Sequence, residues 1–367
     1  MKKVPTFKSS IPFFPQGRDT LSRLLQRRMN KLFRTTAFFI VSLLLCSALY
    51  LWTSLQNSLL ELPSKKNPVL LYSTECNDDL LLLHCKALQK AKKSIHLTIY
   101  ALTDPHIVKI LNSKAAEGLK VAVYFDPSAS GELQKKLHPK IDYYPVVMSG
   151  LMHRKILIID HKKVFLGSAN MTPQSLQIHG NIVAGIRDRP LATEMEKEGF
   201  SAIETHVEEQ TVNVYFLPET GKSTLKKMKE MILSAKKTIH VAMFTLTHPE
   251  LLEALKVAHQ RGVQVGVAID DYTAKGASRS ALKILQKAGI PTYIGSSQKL
   301  LHHKWMWIDE ETLVFGSANW TKAAFQKNKD CVVVMTPLKE AHKKTMHTLW
   351  DVLQLEGQKQ TPLLGKF

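Results

Sequence analysis

Two short stretches of the chain carry the same reactive side chains at the same spacing. The first places His153, Lys155 and Asp160 in the order His-x-Lys-(four residues)-Asp, followed by Gly167, Ser168 and Asn170. The second places His302, Lys304 and Asp309 in the same order, followed by Gly316, Ser317 and Asn319. An imidazole can attack phosphorus or carry a proton near neutral pH, and an ammonium can hold an anionic oxygen. Two copies brought together supply a nucleophile, a proton donor and two cations, a set suited to displacement at a phosphodiester. One copy would be a weak signal. Two copies, each with Gly-Ser-x-Asn behind it, are specific.

The elements that must position these groups follow from the intervening residues. Side chains alternate along a strand, so His153 and Lys155 face the same way, as do His302 and Lys304. Behind them Ile156–Ile159 and Trp305–Ile308 are unbroken apolar runs, the pattern of strands buried on both faces. Polar turns follow at His161–Lys163 and Glu310–Glu311, and Val164–Leu166 and Leu313–Phe315 read as return strands. These returns are expected to bring Ser168 and Asn170, and Ser317 and Asn319, back beside the imidazole and ammonium.

The duplication extends beyond the motifs. Lys90–Leu111, KAKKSIHLTIYALTDPHIVKIL, matches Ser234–Leu255, SAKKTIHVAMFTLTHPELLEAL, and Glu117–Asp126 matches Arg261–Asp270. Each half reads helix, strand, helix, strand, motif hairpin, which predicts an α/β fold with a mixed sheet. The expected divisions are a basic segment 1–34, an apolar segment 35–55, repeats over 68–210 and 211–355, and a tail 356–367. The repeat junction is placed at Thr211–Thr224. One chain holds both motifs, so a monomer should suffice.

The paired motifs resemble those of the phospholipase D superfamily. The second copy, with Asn-Trp-Thr after Gly-Ser-Ala and then Asn328-Lys329-Asp330, is most similar to its endonuclease-like and mitochondrial branch. The resemblance implies two α/β units packed as a pseudo-twofold sandwich and a phosphohistidine mechanism with no metal and no cofactor. It also implies an acidic residue downstream of Gly-Ser-x-Asn that supports a catalytic imidazole. In the second repeat that place is filled by Asp330, and in the first by Asn181. The family's usual order makes the first His the nucleophile and the second the general acid. His302 with Asp330 is therefore the better-supported imidazole, which puts that order in doubt here. Asp160 and Asp309 are assigned to the hydrogen-bond framework of the site, in a chemical or a structural role.

The formal net charge of +19 favours an anionic partner, nucleic acid or acidic lipid, and 44% hydrophobic residues fit a globular protein with a sizeable core. Ala37–Trp52 is free of charge, preceded by Arg23, Arg27, Arg28, Lys31 and Arg34. A single-pass anchor with the N-terminus cytoplasmic and the catalytic part outside the cytoplasm is expected, a cleaved signal with secretion being the alternative. Of four cysteines, Cys76 and Cys85 could pair in an oxidising compartment, but no disulfide framework is implied. No Cys/His cluster suggests a metal. The expected activity is hydrolysis or transfer of phospholipid head groups at a membrane. A metal-independent endonuclease on DNA or RNA is the alternative, followed by a cardiolipin-synthase-type transferase and an inactive binding module.

Overall fold

The computed structural model describes residues 18–197 and 202–359. The ends of the expected basic segment and C-terminal tail, 1–17 and 360–367, lie outside the described residues. The chain forms two compact units, Met1–Glu61 and Leu62–Phe367. In the first unit α1 runs over Arg18–Leu59. Its Gln26–Leu49 stretch is long and apolar enough to cross a membrane, beginning earlier than the expected 35 because the helix continues through the basic stretch. Its Phe38, Phe39 and Leu43 side chains are exposed.

Within the second unit, the first half contains β1 (Val69–Ser73), α2 (Leu80–Gln89), β2 (Ser94–Ile99), α3 (Pro105–Ala116), β3 (Lys120–Phe125), α4 (Pro127–Ser130) and β4 (Asp142–Pro145). The motif hairpin β5 (Lys155–Ile159) and β6 (Lys163–Gly167) follows, then α5 (Pro173–Gln177), β7 (Ile182–Arg187) and α6 (Arg189–Met195). The second half contains β8 (Ala202–Val207), β9 (Gln210–Phe216), α7 (Gly221–Ser234), β10 (Thr238–Met243), α8 (Pro249–Gln260), β11 (Gln264–Ile269), α9 (Asp271–Lys275), α10 (Arg279–Lys287) and β12 (Thr292–Ile294). Its motif hairpin is β13 (Lys304–Ile308) and β14 (Thr312–Gly316), followed by α11 (Lys322–Gln326), β15 (Cys331–Thr336) and α12 (Glu340–Lys359).

The strands form two mixed sheets, ordered β1-β7-β6-β5-β2-β3-β4 and β12-β11-β10-β13-β14-β15-β9-β8. In each, the motif strand pairs antiparallel with the repeat's first long strand, Ile99 opposite Lys155 and Met243 opposite Lys304. The second sheet begins earlier than the expected junction. β8 lies before Thr211 but pairs with β9, so the crossover precedes the hairpin rather than following it.

One core is built from both sheets, combining Ile156, Ile158, Val164 and Leu166 with Trp305, Trp307, Leu313 and Phe315. Trp305 and Trp307 are buried there, and burial of each ring contributes roughly 4–6 kcal/mol at about 25 cal/mol per Å². A second core lies between the larger sheet and the helices α7, α8, α10 and α11. The repeats are thus not separable globules: each sheet covers its inner face with the other, and the motif strands sit at the centre of both.

Candidate functional site

The β5 and β13 apolar runs hold the backbone rigidly, and the residues just before each strand turn out toward the other repeat. Met152 pairs in a parallel bridge with Lys329, and Gly180 with Leu301. The His153 amide donates to the Lys329 carbonyl at 2.8 Å, and the Gly180 amide to the Leu300 carbonyl at 2.8 Å. These are the same contact seen from each repeat. They stitch the segment before one motif to the segment after the other.

That stitching decides which group supports which imidazole. His153 Nδ1 lies 2.8 Å from Asp330 Oδ1, and His302 Nδ1 lies 3.0 Å from Asn181 Oδ1. Support is crossed between repeats. The expectation that His302 is backed by Asp330 is corrected: the carboxylate stands behind His153 and the amide behind His302. The physical reason is that β7 and β15 begin beside the other repeat's motif, not their own. Sequence offset alone gives no sign of this exchange.

The tautomers follow. A carboxylate only accepts, so His153 Nδ1 carries the proton and Nε2 offers its lone pair. The Asn181 amide is oriented by Nδ2, which donates to the Ser175 carbonyl at 2.8 Å and the His179 carbonyl at 3.3 Å. Its Oδ1 therefore faces His302, whose Nδ1 also carries the proton. Ser168 and Ser317, expected beside the imidazoles, are fully buried behind them. Ser168 Oγ donates to Asn181 Oδ1 at 2.8 Å, and Ser317 Oγ donates to Asp330 Oδ1 at 2.7 Å. They hold the imidazole partners and do not present a hydroxyl to the site. The glycines before them are required by contact. A Cβ at Gly167 would lie 2.1 Å from the Ile182 carbonyl oxygen, and one at Gly316 2.3 Å from that of Cys331.

The two lysines are buried under the imidazoles. Lys155 Nζ donates to the His153 carbonyl at 2.6 Å and lies 5.0 Å from the Tyr100 ring centre. Lys304 Nζ donates to the His302 carbonyl at 2.7 Å and lies 4.9 Å from that of Phe244. The same rings lie 5.0 Å from His153 and 5.2 Å from His302. Burial and the mutual repulsion of the two lysines leave the site short of negative charge despite the nearby carboxylates. Burial lowers Lys155 to about 7, against partial restoration by Asp330. Burial and Lys155 push Lys304 well below its ordinary value. Burial and Lys304 do the same to His302, and burial and Lys155 lower His153 despite Asp330. Burial alone would raise Asp330, but His153 and Lys155 outweigh it and keep the carboxyl low. Burial and mutual repulsion disfavour positive charge on both imidazoles and both lysines, so the site would gain from an entering anion.

The remaining residues of the expected set divide. Asn319 Oδ1 accepts from the Thr245 amide at 3.3 Å, tying down the loop after β10, and the Asn170 amide nitrogen of the backbone donates to Ser175 Oγ. Neither side chain bonds an imidazole or a lysine of the site among the described residues. Asp160 and Asp309, expected in the hydrogen-bond framework in a chemical or a structural role, bond only backbone amides among the described residues. They end β5 and β13 at the edge opposite the imidazoles, five residues of extended strand away. Asp160 accepts from the amides of Lys92, Lys93 and Ser94, and Asp309 from those of Lys236, Lys237 and Thr238.

Several groups escaped sequence reasoning. Asp126 Oδ2 accepts from the Met152 amide at 3.2 Å and Asp270 Oδ2 from that of Leu301 at 3.0 Å, fixing the residue before each imidazole. Tyr100 and Phe244, and Asp126 and Asp270, stand at matched places in the repeats, a signal that was open to use. His179 lies 6.4 Å from His302, and no matched histidine in the second repeat marked it. Glu75 is buried against His303, with Nε2 to Oε2 at 3.0 Å. Burial would raise that carboxyl, but His303 and Lys299 hold it at about 2. Cys76 and Cys85, weighed as a pair, are both free thiols.

Comparison with known proteins bears on the family and the fold. The family model described as "Cardiolipin synthase, PLD-like domain" matches residues 84–202 and 228–350. The mitochondrial cardiolipin hydrolase of Canis lupus familiaris is 36% identical over 116 residues, 31% of this chain and 45% of that protein. A probable cardiolipin synthase of Bacillus subtilis is 26% identical over 330 residues, 76% of this chain and 64% of that one. The chain thus spans about half the length of the first of these relatives and under two thirds of the second. The crystal structure of a Haemophilus influenzae phosphatidylserine synthase shares the fold, with a TM-score of 0.63 at 12% identity, covering 83% of this chain and 90% of that one. The family match takes in both motif hairpins and most of the two sheets that carry them, and on that ground the chain belongs to the phospholipase D superfamily, among its cardiolipin synthase-type domains.

Proposed function

We propose that the protein is a membrane-anchored phosphodiesterase that cleaves phospholipid head groups through a phosphohistidine on His153. The observation that carries this reading is the unequal pair of imidazoles, one backed by a carboxylate and one by an amide. Nε2 of His153 attacks phosphorus while Lys155 and Lys304 hold the non-bridging oxygens. As the P–N bond forms, the P–O bond to the head-group alcohol breaks and His302 Nε2–H gives its proton to that oxygen. Asp330 stabilises the charge that develops on the His153 ring. Water then attacks phosphorus, passing its proton to His302 Nε2, and the P–N bond breaks to release a phosphomonoester lipid. An alcohol in place of water would give transfer. Entry of the phosphodiester supplies the negative charge that lets His302 hold its proton, against the burial and the Lys304 charge that disfavour it.

The charge-free part of the Gln26–Leu49 stretch, from Thr35 on, would cross the bilayer with Arg27, Arg28, Lys31 and Arg34 on the cytoplasmic side, placing the catalytic unit on the far side. The full chain in mixed phospholipid vesicles, assayed with EDTA present beside single-stranded DNA, tests the reading. Head-group release that disappears in both His153→Ala and His302→Ala supports it. DNA cleavage without lipid turnover would sink it in favour of a nuclease.

A further inference from the structure

The loops surrounding the two imidazoles carry exposed apolar side chains that the chemistry does not use. Val147 is 83% exposed and Leu151 39%, both in the loop that leads from β4 into His153. Ile178 is 52% exposed and adjoins His179, and Tyr272 is 76% exposed on α9. All four belong to the same end of the molecule. The Leu151 amide donates to Asn328 Oδ1 and its carbonyl accepts from the Lys329 amide, beside the stitch that holds His153. Tyr272 is two residues from Asp270, whose carboxylate holds the Leu301 amide next to His302. Val147 follows Val146, whose amide donates to the Phe125 carbonyl, and Phe125 precedes Asp126, which holds Met152.

Cations are interspersed with these residues. Lys327 and Arg279 are exposed and Lys329 is half-buried, none of them with a carboxylate partner among the described residues. Carboxylates at this end are already engaged: Asp271 by Lys275, and Glu75 and Glu356 by Lys299. A rim of single apolar side chains set among unpaired cations is complementary to a surface that is anionic on top and hydrocarbon beneath.

We propose that this end of the molecule docks directly on an anionic lipid bilayer, with Val147, Leu151, Ile178 and Tyr272 entering the head-group layer and Lys327, Lys329 and Arg279 against lipid phosphates. The docking sets the imidazoles at phosphodiester depth, so lipid need not leave the bilayer to react. The inference rests on the lipid reading above and deepens it by naming the contact surface.

The test is kinetic, with the full chain in detergent micelles containing a rising mole fraction of anionic phospholipid. The double variant Val147→Asp with Tyr272→Asp is compared with the parent on this lipid and on soluble bis(4-nitrophenyl) phosphate. The expected result is an interfacial KM raised about tenfold or more, as befits charge placed in a lipid-facing position, with unchanged turnover of the soluble ester. An unchanged interfacial KM would overturn the docking face. So would a parallel loss on both substrates, which would make these residues part of the framework of the site. Failure of the parent to turn over any lipid, with soluble turnover intact, would instead remove the lipid reading itself.

Discussion

At the scale of single residues, the two imidazoles differ because one faces Asp330 and the other Asn181. Replacing Asp330 by Asn keeps a hydrogen-bond acceptor but removes the charge that steadies a positive ring. kcat should fall by about 10³–10⁴, with KM nearly unchanged, as measured by steady-state assay on a soluble phosphodiester. The reverse change, Asn181→Asp, puts a carboxylate behind His302 and should raise its pKa, moving the ring's titration upward in a histidine NMR titration. No upward movement would mean that the amide contact does not govern this ring. The lysines give a pH dependence. Burial lowers Lys155 to about 7, and burial with the neighbouring lysine holds Lys304 and His302 below their ordinary values. A bound anion raises all three, so binding takes up protons and affinity strengthens as pH falls through the region of 7. Calorimetry of inorganic phosphate binding in two buffers of different ionisation enthalpy should show this uptake, and Lys155→Ala should reduce it.

The elements that carry these residues were legible where the pattern was local. The strands around His153 and His302 could be read because their apolar runs are continuous and end at a polar turn. The helices α3 and α8 could be read from their duplicated sequence. The role of Asp160 and Asp309 was legible only in part. Their spacing from the imidazole marks them, but a strand carries them to the far edge, where they bind three amides each. Burial alone would raise the Asp309 carboxyl, but those three amides together hold it low, so its contribution is present at neutral pH and lost as pH falls through its folded value. Both residues have positive φ, 55° and 50°, which Asn tolerates better than Ala. Asp309→Asn should cost about 1–2 kcal/mol and Asp309→Ala about 2–4 kcal/mol in thermal melts, with the activity of the folded fraction retained. Loss of activity without loss of stability would return Asp309 to the chemistry. The short turn Thr74–Cys76 offers a parallel test. A Cβ at Gly180 would lie 2.4 Å from Glu75 Oε1, beside the Asn181 that orients His302. Gly180→Ala should therefore lower kcat about tenfold or more by displacing Asn181, while a lysine-to-alanine change on the outer helices does not.

For the molecule as a whole, the two repeats were legible because duplication at this length survives as matched words in the chain, while their packing as a sandwich was implied by the resemblance to the phospholipase D superfamily. Crossed support was not legible: it depends on which strand edge abuts which, and offsets within a repeat say nothing of contacts between repeats. The shared core of Ile156, Ile158, Trp305 and Trp307 likewise makes the repeats one folding body although they read as two. Since each imidazole draws its partner from the other half of the same chain, an equimolar mixture of His153→Ala and His302→Ala chains should stay inactive. Recovery of activity on mixing would show that halves from different chains can assemble a working site. The same crossing has a consequence for how a substrate lies. A pair of identical halves about a twofold axis would accept a phosphodiester in two equivalent orientations, half of the encounters reversing the roles of the two sides. Asp330 on one side and Asn181 on the other abolish that equivalence. On the proposed mechanism the ester has a productive direction, and the Asp330/Asn181 difference between the repeats turns an otherwise symmetric cradle into a one-way one.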